Sequence, residues 1–459
     1  MNAIRRVSVL AMICLVSLSC RTYLNQEFFP PDKSFEHRQE NDREYSLGVV
    51  EFDDQGWYHS RVQAQNVFDH VAALARREPT IIVVFIHGWH HNACASDGNL
   101  ACFRATLELL DREVNQPHYV TARAILGHPG KLQIAGIYLG WRGRSVPTAL
   151  KYLTFWDRKA AGHRTGGSDL REFLLRLGAL QRDINRTGPL TGLVTVAHSF
   201  GGAVAERALF QDISRPLAEN VPITGKVDLR EPPRLLEGFG DLVVLINPAF
   251  EASLYHNVAD LSARATYASS QSPILLTLSA ENDGPRKTVF PIGRFFSLLS
   301  QGIASREQGE AVRVALGNDS SQVTHFLKLD PSADWQGPDP ASDGCGSGVE
   351  LDARQREAFS AGNLGNRLPT ASDLRGALIA TKLAGEVHLY GTVLTPKPGV
   401  DPDLPFLVVQ VSKHIINGHN GFFNPRLINF LVGYIARAEA KTSILRDQQR
   451  EHSAGGVKP

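Results

Sequence analysis

The segment GLVTVAHSFGGAV, residues 192–204, carries the strongest indication of fold in the chain. Its first half is apolar and β-branched, which predicts a strand buried on both faces. A turn of small residues follows, with Ser199 at its apex, and the chain then continues as a predicted helix. This is the pattern G-x-S-x-G of a serine nucleophile elbow, with Ala197 at the first glycine position, where only a small side chain is needed. The pattern predicts that Ser199 is a nucleophile.

Other apolar runs have the composition of buried strands. Residues 80–86 read TIIVVFI and lead directly into His87-Gly88-Trp89. Four more such runs cover residues 132–139, 241–248, 273–279 and 406–411, with residues 323–329 as a further predicted strand. Helical patterns separate several of them, as in residues 168–184, where Ser168 and Glu172 suggest an N-terminal cap. Such an alternation predicts a parallel sheet of the α/β class.

The His-Gly pair after one predicted strand and Ala197-His198-Ser199-Phe200-Gly201 after another give the chain a resemblance to the α/β-hydrolase superfamily. In outline the resemblance covers residues 45–435, and it is closest to serine hydrolases of the esterase and lipase kind, including poorly characterised bacterial branches. It implies an α/β-hydrolase fold, in which helices flank a mostly parallel central sheet. We expect one domain over residues 45–440, with insertions near residues 145–167 and 286–385.

The N-terminal residues have the pattern of an export signal. Arg5 and Arg6 precede an apolar stretch from Val7 to Leu18, and Ser19-Cys20 follows. The cysteine resembles a bacterial lipoprotein site, so we predict an envelope protein that is lipid-anchored at Cys20 rather than a soluble exported one. A retained anchor ranks third because the stretch is short for a bilayer-spanning helix. The polar composition of residues 21–44 predicts a tether, and that of residues 441–459 predicts a flexible tail.

The cysteines allow two interpretations. Cys94 and Cys102 flank a polar turn, and a disulfide between them is plausible in an exported chain. Two free thiols, one of them facing the core, are equally compatible with the sequence, because spacing does not establish bonding distance. Cys345 stands alone in a glycine-rich loop.

A serine nucleophile needs a general base, and the base needs an acid partner. The resemblance implies the chain order serine, acid, histidine. His419 is the preferred base because it lies in a turn just beyond the last predicted strand, and His414 is the alternative. His325 and His388 fall in predicted strands, and His198 is interpreted as a structural neighbour of the nucleophile.

Asp283 is the preferred acid, since it follows the strand of residues 273–279 and should emerge at the same edge of the sheet as Ser199. Glu281 and Glu251 are the alternatives. The developing oxyanion requires backbone donors, for which we predict the N–H groups of Phe200 and Trp89.

This mechanism needs no cofactor. A metal site formed by His87, His90, His91 and Cys94 is disfavoured, because no companion cluster completes it. The net charge of +1 and the lack of a long basic run also give no indication of nucleic-acid binding.

The sequence therefore predicts a serine hydrolase that cleaves a carboxylic ester through an acyl-enzyme. Aromatic residues near the predicted cleft favour an acyl or lipid-like substrate. Arg142 and Arg144 are also compatible with a substrate that has an anionic head group. The possible cleft residues are Trp89, Trp141, Arg142, Phe155 and Trp156. The same triad would serve an amidase or a thioesterase, and a non-catalytic binding or scaffold lipoprotein is a third interpretation.

Overall fold

The computed structural model describes residues 28–40, 43–143, 155–225, 235–287, 302–332 and 370–455. The predicted export signal with Cys20, the side chain of Arg144 and Cys345 lie outside these ranges. So does much of each predicted insertion.

The core of the molecule is one mixed, mostly parallel sheet with the strand order β1-β2-β4-β3-β5-β6-β7-β11-β8-β10-β9. The strands β1 to β11 are, in chain order, Phe35–Glu40, Arg43–Glu51, Thr80–Ile86, Gln133–Gly140, Thr191–His198, Leu242–Ile246, Leu275–Ala280, His325–Leu329, Val387–Leu389, Thr392–Pro396 and Phe406–Val411. The pairs β1/β2, β8/β10 and β9/β10 are antiparallel, and the other neighbours are parallel. The predicted α/β class is therefore confirmed.

Helices cover both faces of the sheet, which explains why the central strands are apolar throughout rather than alternating. The helices α1 to α11 are Arg61–Arg77, Gly98–Val114, Pro117–Ile125, Phe155–Thr165, Asp169–Thr187, Phe200–Asn220, His256–Arg264, Gly284–Lys287, Arg306–Ala311, Ala371–Ala380 and Pro425–Gly455. Helix α5 begins where the sequence predicted a helix, but the Ser168 side chain makes no capping bond.

The parallel register brings the ends of the central strands to one edge. Ile86 of β3 is level with Ala197 of β5, and His198 is level with Ile246 of β6. The residues that follow these strands are therefore neighbours, and the predicted site lies at this carboxyl edge.

The predicted tether over residues 21–44 is wrong for its described part. Residues 35–40 form the edge strand β1, which pairs with β2. The backbone N–H groups of Phe28 and Phe29 donate to the carboxylate of Glu51, at 3.0 and 2.9 Å. The polar composition is that of an edge strand with one solvated side, so composition alone misses its pairing.

The predicted flexible tail is likewise wrong as far as residue 455, because residues 441–455 continue helix α11. Lys441 and Ile444 are buried, and the Lys441 ammonium donates to the Thr381 carbonyl at 2.7 Å. Arg446 pairs with buried Asp241. The polar residues that suggested fraying are partners for buried groups at the amino edge of the sheet.

The structure contradicts both interpretations of Cys94 and Cys102. Cys94 is a free thiol in the turn before α2, with its Sγ 3.3 Å from Ser96 Oγ. Cys102 lies on α2, is nearly buried and is disulfide-bonded to another cysteine. Helix α2 begins between the two residues and turns Cys102 toward the core, while Cys94 stays in the turn. No helix in the described ranges is long and apolar enough to cross a membrane.

Candidate active site

Ser199 lies at the junction of β5 and α6 with φ 55° and ψ −120°. A positive φ is unfavourable for a residue with a Cβ and costs on the order of 1 kcal/mol or more. The surrounding backbone holds this conformation: the Ser199 N–H donates to the Ile246 carbonyl at 3.0 Å. The Ser199 carbonyl accepts from Gly202 N–H at 2.9 Å and from Ala249 N–H at 3.0 Å. The turn is thus fixed by strand β6 and the loop after it.

Two glycines allow the turn to pack this closely. A Cβ on Gly201 would lie 2.2 Å from the Ile86 carbonyl oxygen, and a Cβ on Gly88 would lie 2.8 Å from the Ser199 Cβ. Both distances are too short for real contacts, and in each case backbone or a short side chain would have to move. Gly88 and Gly201 therefore bring the β3 turn against the serine.

The three residues predicted as nucleophile, base and acid form one chain of hydrogen bonds. Ser199 Oγ lies 2.7 Å from His419 Nε2, and His419 Nδ1 lies 2.7 Å from Asp283 Oδ2. An ionised Asp283 accepts the proton of Nδ1, which leaves Nε2 as the acceptor of the serine hydroxyl. Ser199 and Asp283 are buried, while the His419 side chain keeps 15% exposure.

Asp283 is surrounded by groups that favour its ionised form. Burial by itself raises the pKa of this carboxyl, but the hydrogen bond to His419 and the charges of His419 and Arg286 outweigh it and lower the pKa. Oδ1 accepts from the Arg286 backbone N–H at 3.1 Å, and the guanidinium lies 3.6 Å from Oδ2. The fully buried Arg286 is itself held by the Leu316 carbonyl. The acid is therefore charged and fixed in orientation.

The turn that carries His419 is held by two side chains from neighbouring strand ends. Asn247 Nδ2 donates to the His419 carbonyl at 2.8 Å, and its Oδ1 accepts from Ala280 N–H at 2.8 Å. His198 Nε2 lies 3.1 Å from the same carbonyl, and its ring stacks on Phe422. Burial and the nearby His419 lower the pKa of His198 well below its ordinary value, so the neutral ring donates.

Sequence reasoning did not identify Asn247 and Arg286 as site residues. The signal for Asn247 was its position directly after β6, at the same edge as Ser199. Arg286 gave only the weaker signal of lying three residues after the acid. His198 is in contact with the His419 turn, in agreement with its interpretation as a structural neighbour.

His87 fixes the turn after β3. Burial lowers its pKa to about 4, so the ring is neutral. Its Nε2 accepts from the Trp141 backbone N–H at 3.0 Å, and its Nδ1–H therefore donates to the Gly88 carbonyl at 2.9 Å. The Trp141 ring stacks on the imidazole with an interplanar angle of 6°. This arrangement orients the Gly88–Trp89 peptide, which carries one predicted oxyanion donor.

The second predicted donor is the N–H of Phe200. Phe200 is the first residue of α6, and N–H groups in the first turn of a helix have no acceptor within that helix. The partial positive charge of the helix terminus lies at the same place. The rings of Trp89 and Phe200 are 6.0 Å apart, so the two donor-bearing residues are neighbours beside Ser199.

The residues considered as alternative acids and as the alternative base have partners outside the triad. Glu281 Oε1 accepts from Lys413 N–H at 2.8 Å, and Glu251 forms a buried pair with Lys159 at 2.8 Å. His414 is exposed, and its carbonyl accepts from Arg426.

The two strand histidines are also bound elsewhere. His325 is buried and contacts the Ala384 carbonyl, while exposed His388 pairs with Asp330.

Two of the predicted cleft residues, Trp141 and Arg142, have structural partners. Trp141 is buried against His87, and Arg142 lies 3.5 Å from Asp54. The side chains of Phe155 and Trp156 lie outside the described residues. His91 pairs with Asp97 at 3.0 Å, and in the part of the chain that the structure describes no group of three or more metal-ligating side chains is arranged around a common point.

Comparison of the chain with protein-family models, with curated proteins and with solved structures finds no match. The class of the protein therefore rests on the structure alone, which shows an α/β protein with a mostly parallel mixed sheet. Its candidate site is a hydrogen-bonded Ser-His-Asp arrangement at the carboxyl edge.

Proposed function

We propose that the protein is a serine hydrolase with an α/β-hydrolase fold that cleaves carboxylic esters. The observation that carries the proposal is the unbroken chain from Ser199 through His419 to Asp283, with 2.7 Å at each step. The strained backbone of Ser199, between a strand and a helix, adds support because it is the geometry of a nucleophile elbow.

The proposed reaction has two halves. Ser199 Oγ attacks the ester carbonyl carbon while His419 Nε2 takes the hydroxyl proton, and the imidazolium is stabilised by ionised Asp283. The tetrahedral intermediate collapses, the ester C–O bond breaks, and His419 returns the proton to the leaving alcohol. A water molecule, deprotonated by His419, then attacks the acyl-enzyme. The bond between the acyl carbon and Ser199 Oγ breaks, His419 returns the proton to Oγ, and the carboxylic acid leaves.

The oxyanion of each tetrahedral intermediate would accept hydrogen bonds from the N–H groups of Phe200 and Trp89. One preorganised donor of this kind lowers the barrier by about 3 kcal/mol. The fixed orientation of the Gly88–Trp89 peptide by His87 supports this role, because a donor that is already aligned requires no reorganisation during the reaction.

An acyl or lipid-like ester is the proposed substrate class, since Trp89 and Phe200 are aromatic neighbours of the nucleophile. Attachment of the exported protein to a bacterial membrane through a lipid on Cys20 is a further proposal, supported by the sequence of residues 1–20.

The test is turnover of p-nitrophenyl esters of increasing acyl length, with the corresponding thioesters and anilides in parallel. We expect ester hydrolysis that is lost in Ser199→Ala and unchanged in Ser253→Ala, a serine in the loop after β6. Faster turnover of the anilides or of the thioesters would identify the protein as an amidase or a thioesterase instead. Absence of turnover in all three series by the folded protein would contradict the proposed hydrolase function and favour the scaffold.

A further inference from the structure

A cavity of about 760 Å³ lies at the edge of the sheet opposite to Ser199. Its floor includes the first residues of β3 and β5, among them Thr80 and Gly192, and its walls come from α3, α10 and α11. Strand β5 has eight residues, each of which advances roughly 3.3 Å, so the cavity and Ser199 are separated by about 20 Å or more. The cavity is therefore not part of the candidate active site.

The walls of this cavity are largely hydrocarbon. The lining includes Leu374 and Leu378 of α10, Ile125 of α3 and Ile444 of α11. Helices α3 and α10 contain no fully buried residue, so their apolar side chains are only half covered by protein. The volume falls within the range of roughly 300–1,000 Å³ that is typical of ligand sites. An apolar molecule in the cavity would complete the burial of these side chains.

A buried carboxyl group interrupts the apolar lining. Glu439 of α11 is only 4% exposed, and its Oε1 has no hydrogen-bond partner in the described structure. The carboxyl group fits against β5 because Gly192 has no side chain: a Cβ there would lie 2.2 Å from Glu439 Oε2. A buried polar atom without a partner costs about 1–3 kcal/mol, and a ligand that supplied the partner would recover part of that cost.

The environment of Glu439 favours its uncharged form. Burial raises the pKa of this carboxyl well above its ordinary value, and the adjacent negative charge of Asp241 raises it further, against the opposing effect of Arg446. The charged groups at the rim have other partners. Arg123 donates to the Val114 carbonyl at 2.6 Å, and His128 pairs with Asp447.

We propose that this cavity binds an uncharged amphiphile, with the hydrocarbon chain between α3 and α10 and a hydroxyl group hydrogen-bonded to Glu439. The neutral carboxyl supplies an acceptor for the hydroxyl proton. A carboxylate head group would lie near Asp241 and would be repelled by its charge. This site is separate from the proposed esterase chemistry, and its occupation does not require an active Ser199.

The test is titration of the full-length protein with 1-decanol and with decanoate at pH 8 by isothermal calorimetry. We expect 1-decanol to bind at least about tenfold more tightly than decanoate. Glu439→Leu should weaken 1-decanol binding by about tenfold, whereas Glu439→Gln, which retains an acceptor, should stay within about threefold. Preferential decanoate binding, or equal affinities of these two variants, would overturn the assignment of the head group.

A pair of variants on α10 tests the location. Ala377 lines the cavity, while Ala380 is exposed on the same helix outside the lining. Ala377→Trp should reduce 1-decanol affinity by at least about tenfold and Ala380→Trp should leave it unchanged. Ester turnover should be the same in both, which separates this proposal from the proposed function. No binding by the folded wild type, or equal losses in both variants, would overturn the site.

Discussion

His419 Nδ1 and Asp283 Oδ2 are 2.7 Å apart although the two residues are separated by 136 positions in the chain. Strands β7 and β11 are parallel neighbours, and each residue lies in the loop that follows one of them. The pairing of two strands therefore determines the contact between the proposed base and its acid.

Asp283→Asn should lower kcat by about 10⁴-fold, because the amide leaves His419 in the wrong tautomer and without a charge to stabilise the imidazolium. The measurement is kcat for the best ester, with circular dichroism to establish folding. Glu281→Gln is the matched control, since its carbonyl can still accept from Lys413. If the control variant lost as much activity as Asp283→Asn, the assignment of the acid would be wrong.

Arg286→Met should raise the pKa of Asp283, because it removes a cation that favours the carboxylate. The acidic limb of the pH–kcat profile should also move to higher pH, because loss of the same cation favours the imidazolium form of the general base His419, which cannot accept the serine proton. Loss of one partner of a buried ion pair should also destabilise the fold by about 3–5 kcal/mol. Arg286→Lys keeps the charge and should shift the profile less. An unchanged profile in folded Arg286→Met would argue against a positioning role.

The contribution of His87 to the free energy of unfolding should fall as the pH is lowered from about 6.5 toward 4, while buried carboxyls with a raised pKa, such as Glu206 and Glu439, act in the opposite direction. His87 has a pKa of about 4 when folded, below its unfolded value, so its stabilising contribution is complete above pH 6.5 and decreases below it. The slope from this residue approaches about 1.4 kcal/mol per pH unit, and His198 acts in the same direction. Urea unfolding at a series of pH values measures this slope.

The variant His87→Asn should reduce that slope, while replacement of exposed His256 by Asn should not. Equal slopes in wild type and His87→Asn would show that another group is responsible for the acid sensitivity.

Gly201→Ala should abolish activity and destabilise the fold, because the added Cβ would meet the Ile86 carbonyl at 2.2 Å. Gly376→Ala is a suitable control: it lies within α10, where a Cβ has nothing within 4 Å, and should stabilise the helix by about 0.5–1 kcal/mol. Melting temperature and ester turnover check both variants. Normal activity in Gly201→Ala would mean that the turn is looser than described.

The sequence was sufficient to predict the triad geometry because Ser199, Asp283 and His419 all follow apolar strands, and parallel strands end at one edge. It was insufficient where pairing depends on distant partners. Strand β1 and the end of α11 are polar, and only contacts with distant residues, that of Glu36 with Arg104 and that of Arg446 with Asp241, reveal that they belong to the folded body. Arg286 was missed because a buried cation next to an acid leaves no pattern in spacing or hydropathy.

Labelling with a fluorophosphonate probe, followed by location of the adduct by mass spectrometry, tests whether His419 activates Ser199. We expect a single adduct on Ser199 in the wild type, and none in His419→Ala when that variant is shown to be folded. An adduct on another residue, or undiminished labelling of Ser199 in His419→Ala, would contradict this activation.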